Sequence, residues 1–229
     1  MAEHSPAREA AARAAVELVQ EGMTLGLGSG RALWRVIELL GQRWPPGSPP
    51  LCAAVASEAT RESARAAGIE VVELDGEVEL DLALDGADQV DAQLRLIKGG
   101  GGALLREKIV VAAARRFVVV AEASKRVDRL GDGYDLPVEV ARFAWRDTAR
   151  RLGAVLPGGA VRLDGELPYV TAEGHHIIDC PIAPGVDLDG LGASLNLVPG
   201  VLEHGLFAGM AECALLGGED GAVERLERP

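Results

Sequence analysis

Aromatic residues and cysteines are scarce in this chain. Aromatic residues make up 3% of the sequence, and its three cysteines, Cys52, Cys180 and Cys213, form no CxxC pair. Three distant thiols are not typical of a disulfide framework, so we expect reduced, mostly buried cysteines in a cytoplasmic protein. The four histidines show none of the spacings that bind metals, and we therefore predict no metal site.

A surplus of basic residues and long apolar runs are also absent. The net charge is −12 at pH 7, whereas a general nucleic-acid-binding protein carries a basic stripe. No apolar run reaches the length of a membrane span, and the negative charge disfavours an anionic membrane surface. We therefore expect no nucleic-acid partner and no membrane partner. An anionic small substrate would need a local positive pocket.

The chain is instead rich in small aliphatic residues arranged in alternating strands and helices. With 229 residues, 48% of them hydrophobic, it can bury a sizeable core. Strand-like apolar runs alternate with helix-like segments at 7–20, 31–41, 58–68 and 103–116, and residues 116–122 are typical of a buried strand. This alternation predicts an α/β fold with a Rossmann-like, mostly parallel sheet flanked by helices.

The pattern changes after Gly131. Short strand-like runs and two helix-like segments, 146–153 and 187–195, predict a smaller ferredoxin-like α+β domain inserted near the C-terminus. The later run LVPGVLEHGLFAGMAECALLGG again has buried-strand character and is expected to rejoin the main sheet. We assign residues 1–131 and 203–229 to a Rossmann-like catalytic domain, and residues 132–202 to a small domain that serves as a lid or in oligomerisation.

A glycine-rich turn, Gly26-Leu27-Gly28-Ser29-Gly30, stands between a predicted strand and a predicted helix. Glycines let the backbone approach a phosphate, and a helix N-terminus offers free N–H groups with a partial positive charge. The turn lacks the third glycine of a dinucleotide fingerprint, because Arg31 follows Gly30. Phosphate binding and a plain tight turn both explain this pattern.

Two carboxylates, Asp85 and Asp88, follow an apolar strand and are separated by Gly86 and Ala87. At the carboxyl end of a parallel strand, polar groups face the crevice where ligands bind. Two neighbouring carboxylates can take different protonation states, which suits acid–base catalysis. An Asx turn with a helix cap is the alternative.

The segment LIKGGGGALLREK, residues 96–108, has four glycines in a row. Each ordered glycine costs roughly 0.5–1 kcal/mol relative to alanine, and a simple strand-to-helix turn needs only one or two. Lys98 and the glycine N–H groups can hold a developing oxyanion, with Glu107 as a base one turn into the next helix. The alternative for Glu107 is a solvated helix face shared with Arg106 and Lys108.

Lys125 follows the predicted strand 116–122. A lysine after a strand is commonly only a surface charge. Because the glycine-rich turns already indicate an anionic substrate, Lys125 is also a candidate ligand for that substrate.

In their order along the chain, these motifs resemble the type A ribose-5-phosphate isomerase family. The resemblance is carried by GLGSGRA, DGADQVD, IKGGGGALLREKI, SKRVDRLG, LPVEV and PGVLEHGLF, and it covers nearly the whole chain. It implies interconversion of D-ribose 5-phosphate and D-ribulose 5-phosphate through a cis-enediolate, in the non-oxidative branch of the pentose phosphate pathway. It further implies no metal or organic cofactor and a homodimer or homotetramer.

The resemblance also implies residue roles. Glu107 is the base, Asp85 shuttles protons between the two oxygens and assists ring opening, and Lys98 stabilises the enediolate. Asp88 orients Lys98 or a substrate hydroxyl. The implied substrate contacts are Ser29, Gly30, Asp85, Asp88, Lys98, Gly99, Gly100, Gly101 and Lys125, and we add Arg31, Ala32, Gly86 and Ala87 from the same two loops.

The chain departs from the family pattern in its first loop, where Arg31 and Ala32 stand in place of the usual Ser-Thr. The guanidinium of Arg31 can replace the lost hydroxyls as a phosphate ligand, or it can point outward. In the glycine run, the family often has alanine at position 102. We therefore expect Gly102 to tolerate alanine, and residues 99–101 not to.

Three other functions are consistent with parts of the sequence. A dinucleotide-dependent oxidoreductase would use the first glycine-rich turn, but its third glycine is missing. A sugar-phosphate sensor would need no base, and an acyl-CoA transferase would use a glutamate beside glycine-rich loops. The aspartate pair, Glu107 and the Ser-Lys segment before Arg126 favour the isomerase.

Overall fold

The computed structural model describes residues 5–45 and 48–228, so part of the proline-rich loop at 43–50 lies outside the described residues. The helices are α1 Pro6–Val16, α2 Arg31–Arg43, α3 Glu58–Ala66, α4 Leu104–Ala112, α5 Trp145–Leu152 and α6 Leu188–Asn196. The strands are β1 Thr24–Leu27, β2 Cys52–Val55, β3 Glu70–Val71, β4 Leu82–Asp85, β5 Gln89–Val90, β6 Leu96–Ile97, β7 Phe117–Glu122, β8 Leu136–Val140, β9 Ala160–Val161, β10 Leu163–Asp164, β11 Leu167–Pro168, β12 His176–Cys180, β13 Val201–His204, β14 Leu206–Phe207, β15 Cys213–Gly217 and β16 Val223–Glu227.

The main sheet has seven strands in the order β16-β15-β7-β4-β1-β2-β3. The pairings from β15 to β3 are parallel, and only β16 runs antiparallel to its neighbour. The chain builds outward from β1 in one direction with β2 and β3, and then in the other with β4 and β7. Their carboxyl ends therefore meet at a topological switch point, where a crevice forms.

Alternating residues of the main sheet pack on its two faces. Leu25, Leu27 and Val118 belong to a core shared with α1, α2 and α3, whereas Ala83 and Val119 belong to a core on the opposite face. Helix α4 contacts β1, β2 and β4, and it packs on that opposite face. Helices thus flank both faces, as the alternation in the sequence predicts.

A second, antiparallel sheet has the order β13-β8-β12-β9. Its elements follow the chain order β8-α5-β9-β12-α6-β13, which is the ferredoxin-like arrangement. One core contains Leu136 and Val138 of the sheet together with Leu152 of α5 and Leu191 of α6. We call this part the small α+β unit. Strand β13 spans the predicted domain boundary at residue 203, and the division into two domains stays a prediction.

Several elements differ from the sequence-based expectation. Helix α1 ends at Val16 rather than near residue 20, and the apolar run 69–74 contributes only the two-residue β3. The apolar run around residue 96 lies in a separate three-stranded sheet with the order β14-β6-β5. The return to the main sheet is confirmed, since β15 pairs parallel with β7. Strand β16 was missed because most of its side chains are exposed and give no apolar pattern.

Among the described helices, none combines the length and the apolar character that crossing a membrane requires.

Candidate active site

A cavity of about 260 Å³ opens at the carboxyl ends of β1, β4 and β7. Each of these strands contributes the residues that follow it, as expected for the switch point of a doubly wound sheet. The lining includes almost every site residue predicted from the sequence, namely Ser29, Gly30, Arg31, Ala32, Gly86, Ala87, Asp88, Lys98, Gly99, Gly100, Gly101, Glu107 and Lys125. Asp85 is the exception, because it is fully buried behind the wall.

Three buried charges, Asp85, Lys98 and Glu107, form the centre of the site. The Lys98 ammonium lies 2.9 Å from Asp85 Oδ2 and 3.1 Å from Glu107 Oε2, and it donates a hydrogen bond to the Gly86 carbonyl at 2.8 Å. The side chains of Lys98 and Glu107 are only 3% and 7% exposed. One cation therefore serves two carboxylates in a place with little water, where electrostatic interactions are strong.

Asp85 is held by the backbone around it. Its Oδ1 accepts hydrogen bonds from the N–H of Gly86 at 2.7 Å and from the N–H of Ser29 at 3.2 Å. A Cβ at Gly28 would lie 1.9 Å from the Asp85 carboxyl group, so only glycine fits there. The first glycine-rich turn thus has a role that its sequence does not reveal, since Gly28 makes room for the carboxylate that holds Lys98.

The three charges shift one another's protonation. Burial, reinforced by the nearby charge of Asp85, raises the pKa of Glu107 to about 7 despite the Lys98 ammonium. Burial also raises the pKa of Asp85, with Lys98 acting against it. For Lys98, burial favours the neutral form, but the two carboxylates outweigh it and raise its pKa. Glu107 therefore titrates near neutral pH, which suits a general base.

Asp88 faces the cavity and has different partners. Its Oδ2 accepts a hydrogen bond from the Gly100 N–H at 2.8 Å. Burial and the nearby charge of Asp88 raise the pKa of Tyr134. The structure places Lys98 against Asp85 and Glu107 rather than against Asp88. Of the two roles that we expect for Asp88, contact with a substrate hydroxyl is therefore the one that its position favours, and it stays a prediction.

Within the run 99–102, the positions that require glycine differ from those we expected. Gly102 has a φ of +80°, and a Cβ there would lie 2.3 Å from the Tyr169 hydroxyl, so the expected tolerance of alanine is wrong. A Cβ at Gly101 would meet no atom within 4 Å, so in the protein itself this position is open. Gly99 has a φ of +103° and packs on Leu104, and a Cβ at Gly100 would lie 2.2 Å from the Tyr134 hydroxyl. The sequence could not show which side chains pack against each glycine.

Cations also line the cavity. Arg31 and Lys125 are joined there by Arg8 of α1, which forms an ion pair with Glu122 at 2.6 Å. Helix α2 begins at Arg31 without a side-chain cap on its first N–H groups. Sequence reasoning missed Arg8, Trp34 and Tyr134 as lining or supporting residues. Arg8 lies in an amphipathic helix of ordinary appearance, so nothing local distinguishes it.

Within residues 5–45 and 48–228, no group of three or more His, Cys, Asp or Glu side chains is arranged to hold a metal ion.

Comparison with known proteins gives the family. Residues 52–221 match the model of the family "Ribose 5-phosphate isomerase A (phosphoriboisomerase A)". A ribose-5-phosphate isomerase A of Roseiflexus sp. (strain RS-1) is 48% identical over 219 residues, covering 95% of this chain and 94% of the relative. That of Synechococcus sp. (strain JA-3-3Ab) is 42% identical over 230 residues and covers 100% of both chains.

Solved structures agree with the sequence relatives. The ribose 5-phosphate isomerase A of Methanocaldococcus jannaschii superposes with a TM-score of 0.89 at 36% identity, covering 96% of this chain and 97% of the other. A D-ribose-5-phosphate isomerase in complex with phospho-erythronic acid superposes with a TM-score of 0.88 at 32% identity, covering 96% and 97%. Because the fold, the matched residues and the relatives agree over nearly the full length, the chain belongs to the ribose-5-phosphate isomerase A family.

Proposed function

We propose that the cavity binds ribose 5-phosphate and ribulose 5-phosphate and interconverts them, with Glu107 moving the proton between the two carbons. The observation that carries this proposal is the environment of Glu107. Its carboxyl group has a pKa of about 7 and lines the cavity beside a buried ammonium and a run of glycines. An aldose–ketose isomerase needs such a group, because the base must lose and regain a proton at neutral pH.

The reaction proceeds in three proton movements. The Glu107 carboxylate takes the proton from C2 of the open-chain aldose, and the C–H electrons form the C1–C2 double bond of an enediolate with the charge on O1. A proton passes from O2 to O1. Protonated Glu107 then returns its proton to C1, and the C2–O bond becomes the ketose carbonyl. Lys98, with its raised pKa, stays charged throughout and stabilises the enediolate.

The two aspartates have separate roles in this proposal. Asp85 is buried and does not line the cavity, so we propose that it positions the Lys98 ammonium beside the reacting oxygens, in place of the proton shuttle and ring opening that we first assigned to it. Asp88 lines the cavity, and its carboxylate accepts a substrate hydroxyl proton during ring opening or between O2 and O1. The wall of Gly99, Gly100 and Gly101 lets the C1–C2 end of the substrate approach the base.

The phosphate group binds at the opposite end. The uncapped N-terminus of α2 offers N–H groups and a partial positive charge, and Arg31, Lys125 and Arg8 add guanidinium and ammonium groups. This local positive region is what a protein with a net charge of −12 needs in order to bind an anionic substrate. We further propose that the reaction uses no metal or organic cofactor.

We also propose that the protein is a cytoplasmic homodimer or homotetramer. Large apolar side chains are exposed on the small α+β unit, including Phe143 at 90% and Leu197 at 82%. Where exposed apolar residues form one contiguous patch, they mark protein–protein contacts. This supports a role of the small α+β unit in assembly.

The deciding experiment incubates purified protein with ribose 5-phosphate and measures the appearance of the ketose. We expect ketose with and without chelator and without nicotinamide cofactor, and far less turnover with unphosphorylated ribose. No ketose at micromolar enzyme would contradict the isomerase. Loss of activity with chelator would contradict the cofactor-free mechanism, and a requirement for nicotinamide would support the oxidoreductase alternative.

A further inference from the structure

One arginine of the small α+β unit reaches across to the glycine run. Arg162, directly after β9, donates hydrogen bonds from Nη1 to the carbonyl of Gly99 at 2.8 Å and to that of Gly100 at 3.1 Å. These two carbonyls belong to the main part of the chain, more than sixty residues earlier. The contact therefore joins the small α+β unit to the wall of the cavity.

The carboxylate of Asp179 fixes the orientation of the Arg162 side chain. Arg162 donates two hydrogen bonds to Asp179 of β12, one from Nη2 to Oδ1 at 2.5 Å and one from Nε to Oδ2 at 2.9 Å. Such a two-point pair sets the plane of the guanidinium as well as its position. The side chains are 17% and 26% exposed, so the pair is only partly screened by water. The remaining donor of Arg162, Nη1, therefore points at the carbonyls of Gly99 and Gly100.

The orientation of a carbonyl also fixes the neighbouring N–H group. In a trans peptide the C=O and the N–H of one unit point in opposite directions, and the described peptide bonds include no cis bond. The Gly99 carbonyl faces Arg162, and the N–H of the same unit, on Gly100, points to Asp88 Oδ2. By the same geometry, the Gly101 N–H points away from Arg162, and Gly101 lines the cavity.

We propose that Arg162, held by Asp179, is a positioning residue that sets the direction of the Gly100 and Gly101 N–H groups for the isomerisation. Glycine peptides rotate at little steric cost, so a run of glycines does not keep its N–H groups aimed without an outside contact. A donor to the carbonyl also polarises the peptide and strengthens its N–H as a donor. The small α+β unit thereby takes part in catalysis without touching the substrate.

This inference rests on the proposed function, because it assigns the glycine N–H groups a part in stabilising the enediolate and in holding Asp88. Removing one preorganised donor costs about 10²–10³ in kcat, and misaiming a donor costs part of that. We expect Arg162→Ala to lower kcat about 10- to 100-fold and to leave KM within about threefold, because the phosphate end is untouched. Asp179→Asn loosens the guanidinium and gives a smaller loss in the same direction.

Two further measurements separate positioning from general support of the fold. Phospho-erythronic acid, whose carboxylate resembles the enediolate end, should lose affinity for Arg162→Ala by a larger factor than the substrate KM rises. Added guanidinium should restore part of the kcat of Arg162→Ala, since it can occupy the vacated place between Asp179 and the two carbonyls. A merely structural arginine would show neither effect.

The matched control is Arg106→Ala. Arg106 of α4 also pairs with a carboxylate of the small α+β unit, Glu173 at 2.5 Å, but it is more exposed and makes no contact with the glycine carbonyls. We expect its kcat to stay within about twofold of the wild type. Both variants remove an ion pair to a carboxylate of the small α+β unit, but only Arg162→Ala also removes the hydrogen bonds to the glycine carbonyls. The control therefore shows which of the two losses lowers kcat.

The outcomes are distinct. If wild-type protein makes no ketose, the proposed function fails; if the wild type is active and folded Arg162→Ala keeps its kcat within twofold, only this inference is overturned. Equal losses in Arg106→Ala and Arg162→Ala, without guanidinium rescue, would also overturn it. Should Arg162→Ala fail to fold, Arg162→Lys replaces it, because one ammonium cannot bridge Asp179 and both carbonyls. Unchanged kcat in Arg162→Lys would then overturn the proposal.

Discussion

Two lysines, the buried Lys98 and the partly buried Lys108, lie close to the same phenylalanine ring but have different surroundings. The ring of Phe207 lies 5.5 Å from the Lys98 ammonium and 4.6 Å from that of Lys108. Lys98 meets two carboxylates, whereas Lys108 meets one, Glu203 at 2.7 Å, together with the carbonyls of His204 and Leu206.

The two environments shift the lysines in opposite directions. Burial lowers the pKa of Lys108, and the single carboxylate of Glu203 offsets this only in part. For Lys98 the two carboxylates outweigh burial and raise the pKa. An excess of buried negative charge, rather than burial itself, therefore distinguishes the site. That excess keeps Lys98 charged and makes Glu107 basic, whereas Lys108 ties α4 to β13 and β14.

Substitutions of Glu107 and Glu203 should differ most strongly in their effect on kcat. Glu107→Gln should lower kcat about 10²- to 10⁴-fold, because the base is lost. Glu203→Gln should keep kcat within about threefold but destabilise the protein by about 1–3 kcal/mol, because Lys108 loses its charged partner. Steady-state kinetics and urea unfolding of both variants check this. Near-normal turnover by Glu107→Gln would show that another group is the base.

Glu107→Gln should also change how the stability of the protein depends on pH. The folded-state pKa of Glu107, about 7, lies above its ordinary value, so the stability of the wild type falls as pH rises through 7. Glu107→Gln removes that loss and should be more stable than the wild type at pH 8, by up to about 3 kcal/mol. The difference should vanish near pH 4, where Glu107 is protonated in both states.

Replacing each lysine by methionine gives the next largest effect. Lys98→Met leaves two carboxylates without their cation, so we expect a kcat loss of about 10²–10³-fold. It also raises the pKa of Glu107 further, which moves the acidic limb of the pH–rate profile upward. Lys108→Met should keep kcat within about threefold and lose only stability. Similar kcat losses in both variants would erase the distinction between the two lysines.

A shift in the midpoint of the pH–rate profile is the smallest expected change. The wild-type kcat/KM should rise with pH and reach half its maximum at about pH 7, where Glu107 ionises. Asp85→Asn removes a negative charge that raises the pKa of Glu107, so the midpoint should move below 7 toward the ordinary range of glutamate. An unmoved midpoint would show that Asp85 does not act on Glu107 through its charge.

The sequence predicts most of this site because its residues come from strand ends. Apolar runs mark the strands, and Ser29, Asp88 and Lys125 follow them directly, so the topology of a parallel sheet brings them together. The roles of Asp85 and Asp88 could not be separated in this way. A spacing of three residues does not tell which carboxylate turns inward to Lys98 and which faces the cavity.

The missed residues reach the site from remote parts of the chain. Arg8 comes from the first helix, Tyr134 from the loop before β8, and Arg162 from a largely exposed stretch of the small α+β unit. None carries a local pattern that points to the cavity. The behaviour of Gly102 was missed for the same reason, since its neighbour Tyr169 is distant in sequence.

The close backbone contact between Lys98 and Gly205 constrains the order in which the chain folds. The Lys98 N–H bonds to the Gly205 carbonyl at 2.9 Å, and the Gly205 N–H bonds to the Pro137 carbonyl at 2.7 Å. A Cβ at Gly205 would lie 2.1 Å from the Lys98 carbonyl, so the two backbones touch. Strand β6, which precedes Lys98, already pairs with β5, but it gains its second neighbour, β14, only when residues beyond 205 have been synthesised and docked. Such a contact between distant residues forms late in folding, and activity can emerge only after nearly the whole chain has left the ribosome.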